Sequence, residues 1–189
     1  VYSQKELYEI ADVCREKGLL LYLDGARLGY GLAIPDADVT LADIANACDA
    51  FYIGGTKVGA LCGEAIVFPK GNAPRCFTTF LRQQGGLLAK GRLLGVQFDA
   101  LFTADTYTSI CKPAILCADA LRAVFCRKGY PFYIDSPSNQ IFVIMEDEKY
   151  QRLQEHVTCR FWKKADAAHT VVRFVTSWAT TMEDVRQLE

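Results

Sequence analysis

Leu19-Leu20-Leu21-Tyr22-Leu23 is the stretch that most narrows the folds open to this chain. A continuous apolar run between Gly18 and Asp24 suits a central strand covered on both faces, as in a parallel α/β sheet. Upstream, Ser3 with Glu6 three residues on forms a capping box. It opens a helix whose Leu7, Ile10, Ala11 and Cys14 share one face, and Gly18 closes it. Downstream, Thr40 with Asp43 starts a second helix through Cys48, Ala50 to Ile53 is the next strand, and Glu64 to Phe68 a third. Helix, strand, helix, strand with short links predicts a parallel or mixed sheet. At 189 residues and 51% hydrophobic, the chain has enough apolar material for such a core, in one domain or two small ones.

Ligands of open α/β sheets sit beyond the carboxyl ends of the strands, and two reactive side chains fall there. Asp24, in Asp24-Gly25-Ala26-Arg27, is placed to hold a cationic ring nitrogen or a metal, and equally to cap a turn or helix. Lys57 stands inside the uncharged, glycine-rich turn Ile53-Gly54-Gly55-Thr56-Lys57-Val58-Gly59-Ala60-Leu61. Out of water an ammonium loses proton affinity and becomes a nucleophilic amine. The flanking glycines let backbone amides approach a bulky anion such as a phosphate. The same residues also suit a solvated lysine beside a turn. A nucleotide P-loop is excluded, because Ser or Thr must follow its lysine and here Thr56 precedes Lys57 while Val58 follows.

From Arg75 to about Lys128 the pattern is helical, interrupted by Gly85-Gly86, Gly91 and Pro113, with the polar, glycine-broken stretch 81–86 suited to line a site or, as the favoured reading, to join two helices. Phe132 to Ile134 and Gln140 to Met145 are strand-like around the turn Ser136-Pro137-Ser138-Asn139. A helix from Asp147 to about His156 follows, then strands over Thr158 to Trp162 and Thr170 to Ser177, and a last helix capped by Thr180 and Glu183. This half reads as a smaller α+β domain. Arg173 lies within its final strand, where a guanidinium needs either an anion such as a carboxylate or access to water. His156 and His169 read as surface residues.

Charge and cysteine usage remove whole classes of function. Net charge is −1 with 21 scattered basic residues, which gives no electrostatic footprint for nucleic acid or an anionic membrane. No apolar run is long enough to span a bilayer, and none reads as a secretory signal. The eight cysteines form no metal-binding spacing with one another or with the two histidines. Reduced, mostly buried thiols in a cytoplasmic, metal-free protein are expected.

Leu21 to Arg27 (LYLDGAR), Tyr52 to Ala60 (YIGGTKVGA), Gly63 to Val67 and Val172 to Val185 (VRFVTSWATTMEDV) together resemble the low-specificity threonine aldolases. These lie in the β-eliminating-lyase branch of the fold type I pyridoxal-phosphate enzymes. The resemblance runs along essentially the whole chain, with the motifs in the same order. It implies that residues 1–108 are the second half of a large cofactor-binding domain and residues 109–189 a small C-terminal α+β domain. Lys57 would hold pyridoxal 5'-phosphate covalently, Asp24 would pair with its ring nitrogen, and Arg27, Thr56 and Gly55 would contact it. Arg27 and Arg173 would bind the carboxylate of an amino-acid substrate. The implied reaction is retro-aldol cleavage of a β-hydroxy-α-amino acid to glycine and an aldehyde. β-Elimination on the same scaffold, or a non-catalytic fragment acting as an interaction module, is the alternative.

A homodimer or homotetramer follows from the resemblance alone. Two departures stand out. Gly54, Gly55 and Thr56 occupy positions where many relatives carry a phosphate-binding serine. The family's N-terminal portion, with its ring-stacking residue and its phosphate loop, has no counterpart in this sequence. The chain begins at Val1 in what already reads as a helix, so a portion of a longer polypeptide is expected, with weak cofactor binding on its own.

Overall fold

A computed structural model describes all residues, Val1–Glu189. The chain divides into two compact units, Tyr2–Ile110 and Cys111–Glu189.

In the first unit, helix α1 (Gln4–Glu16) opens with the Ser3/Glu6 capping box and buries Leu7 and Ala11. It packs on α3 (Leu41–Ala47), which opens with the Thr40/Asp43 box. Gln4 Nε2 and Tyr8 Oη both donate to Asp43 Oδ1, at 2.9 and 3.1 Å, so one carboxylate caps α3 and fastens α1 to it. These bonds hold the Asp43 carboxyl down at about 2, the Thr40 hydroxyl contributing most.

Strands β1 (Tyr22–Leu23), β2 (Ala50–Gly54) and β3 (Glu64–Val67) form a mixed sheet in that order, β1 parallel to β2 and β2 antiparallel to β3. Within this chain the strand expected at Leu19–Leu23 is assigned over Tyr22–Leu23 alone, with Leu20 82% and Tyr22 57% exposed. An apolar run signals that a strand wants cover on both faces. Here β1 pairs only with β2, and nothing else in the unit shields Leu19 or Leu20.

Between β1 and α3 lies the short helix α2 (Leu28–Leu32), and after β3 come α4 (Phe77–Gln83), α5 (Arg92–Phe102) and α6 (Thr106–Ser109). The second unit starts with α7 (Lys112–Arg127). Pro113 does not interrupt it, because it falls in the first turn, where no N–H is needed for the ladder. Then follow β4 (Phe132–Ile134), β5 (Gln140–Glu146), α8 (Asp147–Gln154), β6 (Arg160–Lys164), β7 (His169–Val175) and α9 (Met182–Leu188). The four strands make an antiparallel sheet ordered β4-β5-β7-β6. One face of it is the core, where Ile141, Val143 and Met145 of β5 and Val172 and Phe174 of β7 meet Ala118, Leu121 and Phe125 of α7.

The last helix is capped by Thr181 with Asp184, one residue later than the sequence pattern indicated. Thr180 is already engaged, its Oγ1 accepting from the Ser177 N–H at 2.9 Å. All eight cysteines are free, but only Cys48, Cys111, Cys117 and Cys159 are buried, while Cys62, Cys76 and Cys126 are exposed. Apolar neighbours in sequence mark the element a thiol sits on, not the face it occupies. No helix is long and apolar enough to cross a membrane.

Candidate active site

Two loops leave the carboxyl ends of the parallel pair β1 and β2, and glycine lets their backbones touch. Gly54 N donates to Gly25 O at 2.9 Å. A Cβ on Gly25 would lie 1.7 Å from the Tyr52 carbonyl oxygen, and one on Gly54 would lie 2.4 Å from that of Ala26. Only residues without a side chain fit so close a crossing. Asp24 and Lys57, each just beyond its strand end, are thereby brought to one corner of the sheet.

Asp24 is exposed, but it is oriented. The Tyr52 hydroxyl donates to its Oδ1, and so does the Ala26 N–H at 3.0 Å. Oδ2 takes no hydrogen bond from the protein. These two donors hold the Asp24 carboxyl below the ordinary range, Tyr52 contributing most, with smaller help from the charges of Lys57 and Arg27. Desolvation and the neighbouring carboxylate push the Tyr52 phenol up to about 12, so it remains the donor at neutral pH. The corner thus offers a fixed carboxylate with one unoccupied oxygen, which suits a protonated ring nitrogen.

Lys57 sits in a 3-10 turn, Thr56–Val58. Val58 takes the inward position and is fully buried, while Thr56 and Lys57 face outward. The desolvated lysine expected from the uncharged turn is therefore not found within this chain, where the amine is exposed. The turn itself is pinned, since the Tyr30 hydroxyl donates to the Lys57 carbonyl at 2.5 Å. Gly55 N and Thr56 Oγ1 both donate to the Glu64 carboxylate, each at 2.9 Å. A phosphate taking these two donors has to displace Glu64.

Arg27, half-buried, immediately precedes α2 and lies close enough to act on the Asp24 charge. Arg173 belongs to the second unit. Val172 and Phe174 on either side of it enter that unit's core, so period-two alternation puts Arg173 on the opposite face of β7. Its Nη1 lies 3.4 Å from Gln140 Oε1, and its guanidinium lies over the Trp162 ring.

Four supporting residues escaped the sequence reading: Tyr30, Tyr52, Glu64 and Tyr107. Tyr52 was reachable in principle, because pairing Leu23 with Phe51 places the next residue of each strand, Asp24 and Tyr52, side by side. Tyr107 had no local signal. It is buried, accepts from Gly29 N at 3.2 Å and donates to Gly54 O at 2.9 Å, tying the loop after β1 to the loop after β2. Gly29 lies in the first turn of α2, where an N–H has no intrahelical partner. Tyr107→Phe is therefore expected to destabilise the chain by about 1–3 kcal/mol through unpaired buried groups. A lower urea midpoint with an unchanged slope would register it.

Comparison with known proteins gives a consistent picture. A family profile described as beta-eliminating lyase matches residues 1–176. The low specificity L-threonine aldolase of Pseudomonas aeruginosa is 28% identical over 190 residues, covering 100% of this chain and 54% of the aldolase. The structure of the Leishmania major threonine aldolase superposes with a TM-score of 0.94 at 35% identity, covering 99% of this chain and 55% of that one. An aromatic aminotransferase of Pyrococcus horikoshii shares the fold at a TM-score of 0.69 and 18% identity, over 100% of this chain and 54% of its own. The chain thus spans about half the length of the curated relatives it matches.

Proposed function

Because the chain belongs to the beta-eliminating lyase family, we propose that it is part of a pyridoxal-phosphate-dependent lyase. Its reaction is the cleavage of a threonine-like β-hydroxy-α-amino acid to glycine and an aldehyde. The observation that carries this reading is the corner formed by Asp24 and Lys57. There a carboxylate, fixed by Tyr52 and with one oxygen unoccupied, stands at the strand end next to that of a lysine held on a pinned turn. When bound, pyridoxal phosphate supplies an electron-accepting ring, which is what makes bond cleavage at Cα accessible.

The chain's own residues supply the rest. Lys57 is the covalent anchor. Asp24, ionised at neutral pH, would pair with the ring nitrogen and favour its protonated form. Thr56 and Gly55, whose donors Glu64 takes here, would contact the cofactor, and Arg27 would lie beside it and help hold the substrate carboxylate. Arg173 is a second partner for that carboxylate, its planar fork matching two oxygens at once. In this reading residues 1–108 are the second half of the cofactor-binding domain and residues 109–189 the small domain.

A cytoplasmic homodimer or homotetramer fits the free cysteines and the exposed Leu20, Leu61, Leu88 and Leu93. The decisive experiment incubates the complete protein with pyridoxal phosphate and L-threonine. Acetaldehyde and glycine in equal amounts are expected. A keto acid with ammonia would transfer the assignment to β-elimination, and no turnover of any amino acid would replace the enzyme with an interaction module.

A further inference from the structure

The contact between Arg173 and Trp162 has a geometry that burial does not account for. Every residue of β6 is exposed, Trp162 at 46%, so the indole is not there to fill a core. Pairing along β6 and β7 runs Arg160 to Arg173 and Phe161 to Val172, then Lys163 to Val171 and Lys164 to Thr170. Trp162 falls at a register irregularity between Phe161 and Lys163, and because Phe161 stands opposite the core residue Val172, alternation puts Trp162 on the face that carries Arg173.

The ring has two partners on that face. Arg173 Cζ lies 5.2 Å from its centroid, within cation–π range. Phe142 meets it edge-on at 5.1 Å and an interplanar angle of 70°. Phe142 is in turn the direct cross-strand partner of Arg173 in the β5–β7 ladder. Arginine, indole and phenyl therefore form one cluster on the face of β7 opposite Val172 and Phe174.

We infer that Trp162 is a positioning residue for Arg173, fixing the plane of the guanidinium so that its edge is presented to the substrate carboxylate. An aromatic ring engages a guanidinium through its face, whereas a carboxylate engages it through its edge, so both contacts are compatible. Without the ring, Arg173 keeps its long contact to Gln140 but loses the restraint on the plane of its guanidinium, and ordering that plane on each substrate molecule weakens binding. The inference rests on the assignment of Arg173 to the substrate carboxylate.

The test uses the complete protein loaded with pyridoxal phosphate. Trp162→Ala is expected to raise KM for L-threonine roughly three- to thirtyfold, the range of a cation–π contact, with kcat little changed. Trp162→Phe should recover most of the loss. Binding of 1-aminopropan-2-ol, which lacks the carboxylate, should not move, and in an Arg173→Lys background Trp162→Ala should add almost nothing. If Arg173→Lys raises KM while Trp162→Ala does not, the positioning role is wrong and the carboxylate assignment stands. If neither variant changes KM, the assignment of Arg173 fails first. Equal loss of affinity for the amine and for threonine would make the Trp162 contact merely structural and overturn the inference.

Discussion

Lys57→Ala is expected to lower kcat/KM of the complete enzyme by roughly three orders of magnitude or more, about 4 kcal/mol of barrier, without unfolding it. The side chain is exposed, and its turn is held by Val58 underneath and by the Tyr30 hydroxyl on the backbone, neither of which the substitution touches. Stability should therefore move by less than about 0.5 kcal/mol. Lys57→Arg should lose as much activity, because it keeps the charge and removes the primary amine. Borohydride reduction in the presence of pyridoxal phosphate, followed by peptide mapping, gives an independent readout. The label should sit on the peptide containing Lys57 in the parent protein and vanish from it in the variant. Activity within tenfold of the parent would mean that Lys57 is only a solvated lysine beside a turn.

Gly25→Ala should do the opposite, damaging the fold before any chemistry is tested. The new methyl carbon would meet the Tyr52 carbonyl oxygen at 1.7 Å, and both are anchored in backbone. Relief requires β2 to move away from the loop after β1. That movement breaks the Gly54 to Gly25 hydrogen bond and strains the pairing of Leu23 with Phe51. A cost on the order of 3–5 kcal/mol is expected, a large share of the stability of a typical domain. Gly95 is the control. It lies within α5 with open space where a Cβ would go, so Gly95→Ala should be neutral or stabilising by up to about 1 kcal/mol. Urea denaturation followed by circular dichroism compares the two. Equal midpoints would show that β1 and β2 are not held as closely as the crossing requires.

The glycines illustrate how far sequence reading reaches. The glycines flanking Lys57, Gly54 and Gly55 among them, stood out, and the pattern supported letting backbone approach an anion. Gly25 and Gly54 serve an approach of backbone to backbone, and the Gly55 N–H is taken by Glu64. Both uses demand the same absence of a side chain, so the residue type alone does not separate them. Lys57 is similar. An uncharged neighbourhood in sequence implied a dry amine, but exposure depends on which chain segments lie over the turn, and none in this unit does.

What the sequence by itself determined is local and directional. The Ser3/Glu6 and Thr40/Asp43 boxes start their helices where the side chains sit three apart, because capping is a contact within one turn. The order of helices and strands follows from periodicity, and with it the placement of Asp24 and Lys57 beyond adjacent strand ends. What only the tertiary structure decided involves partners distant in sequence. Tyr107 locks Gly29 to Gly54, Tyr52 selects one oxygen of Asp24, and the pairing of β6 with β7 brings Trp162 against Arg173. Within this chain β1 pairs only with β2. Hydrophobic pattern states how much cover a strand needs, whereas strand order states what cover it receives, and only three-dimensional pairing carries the second.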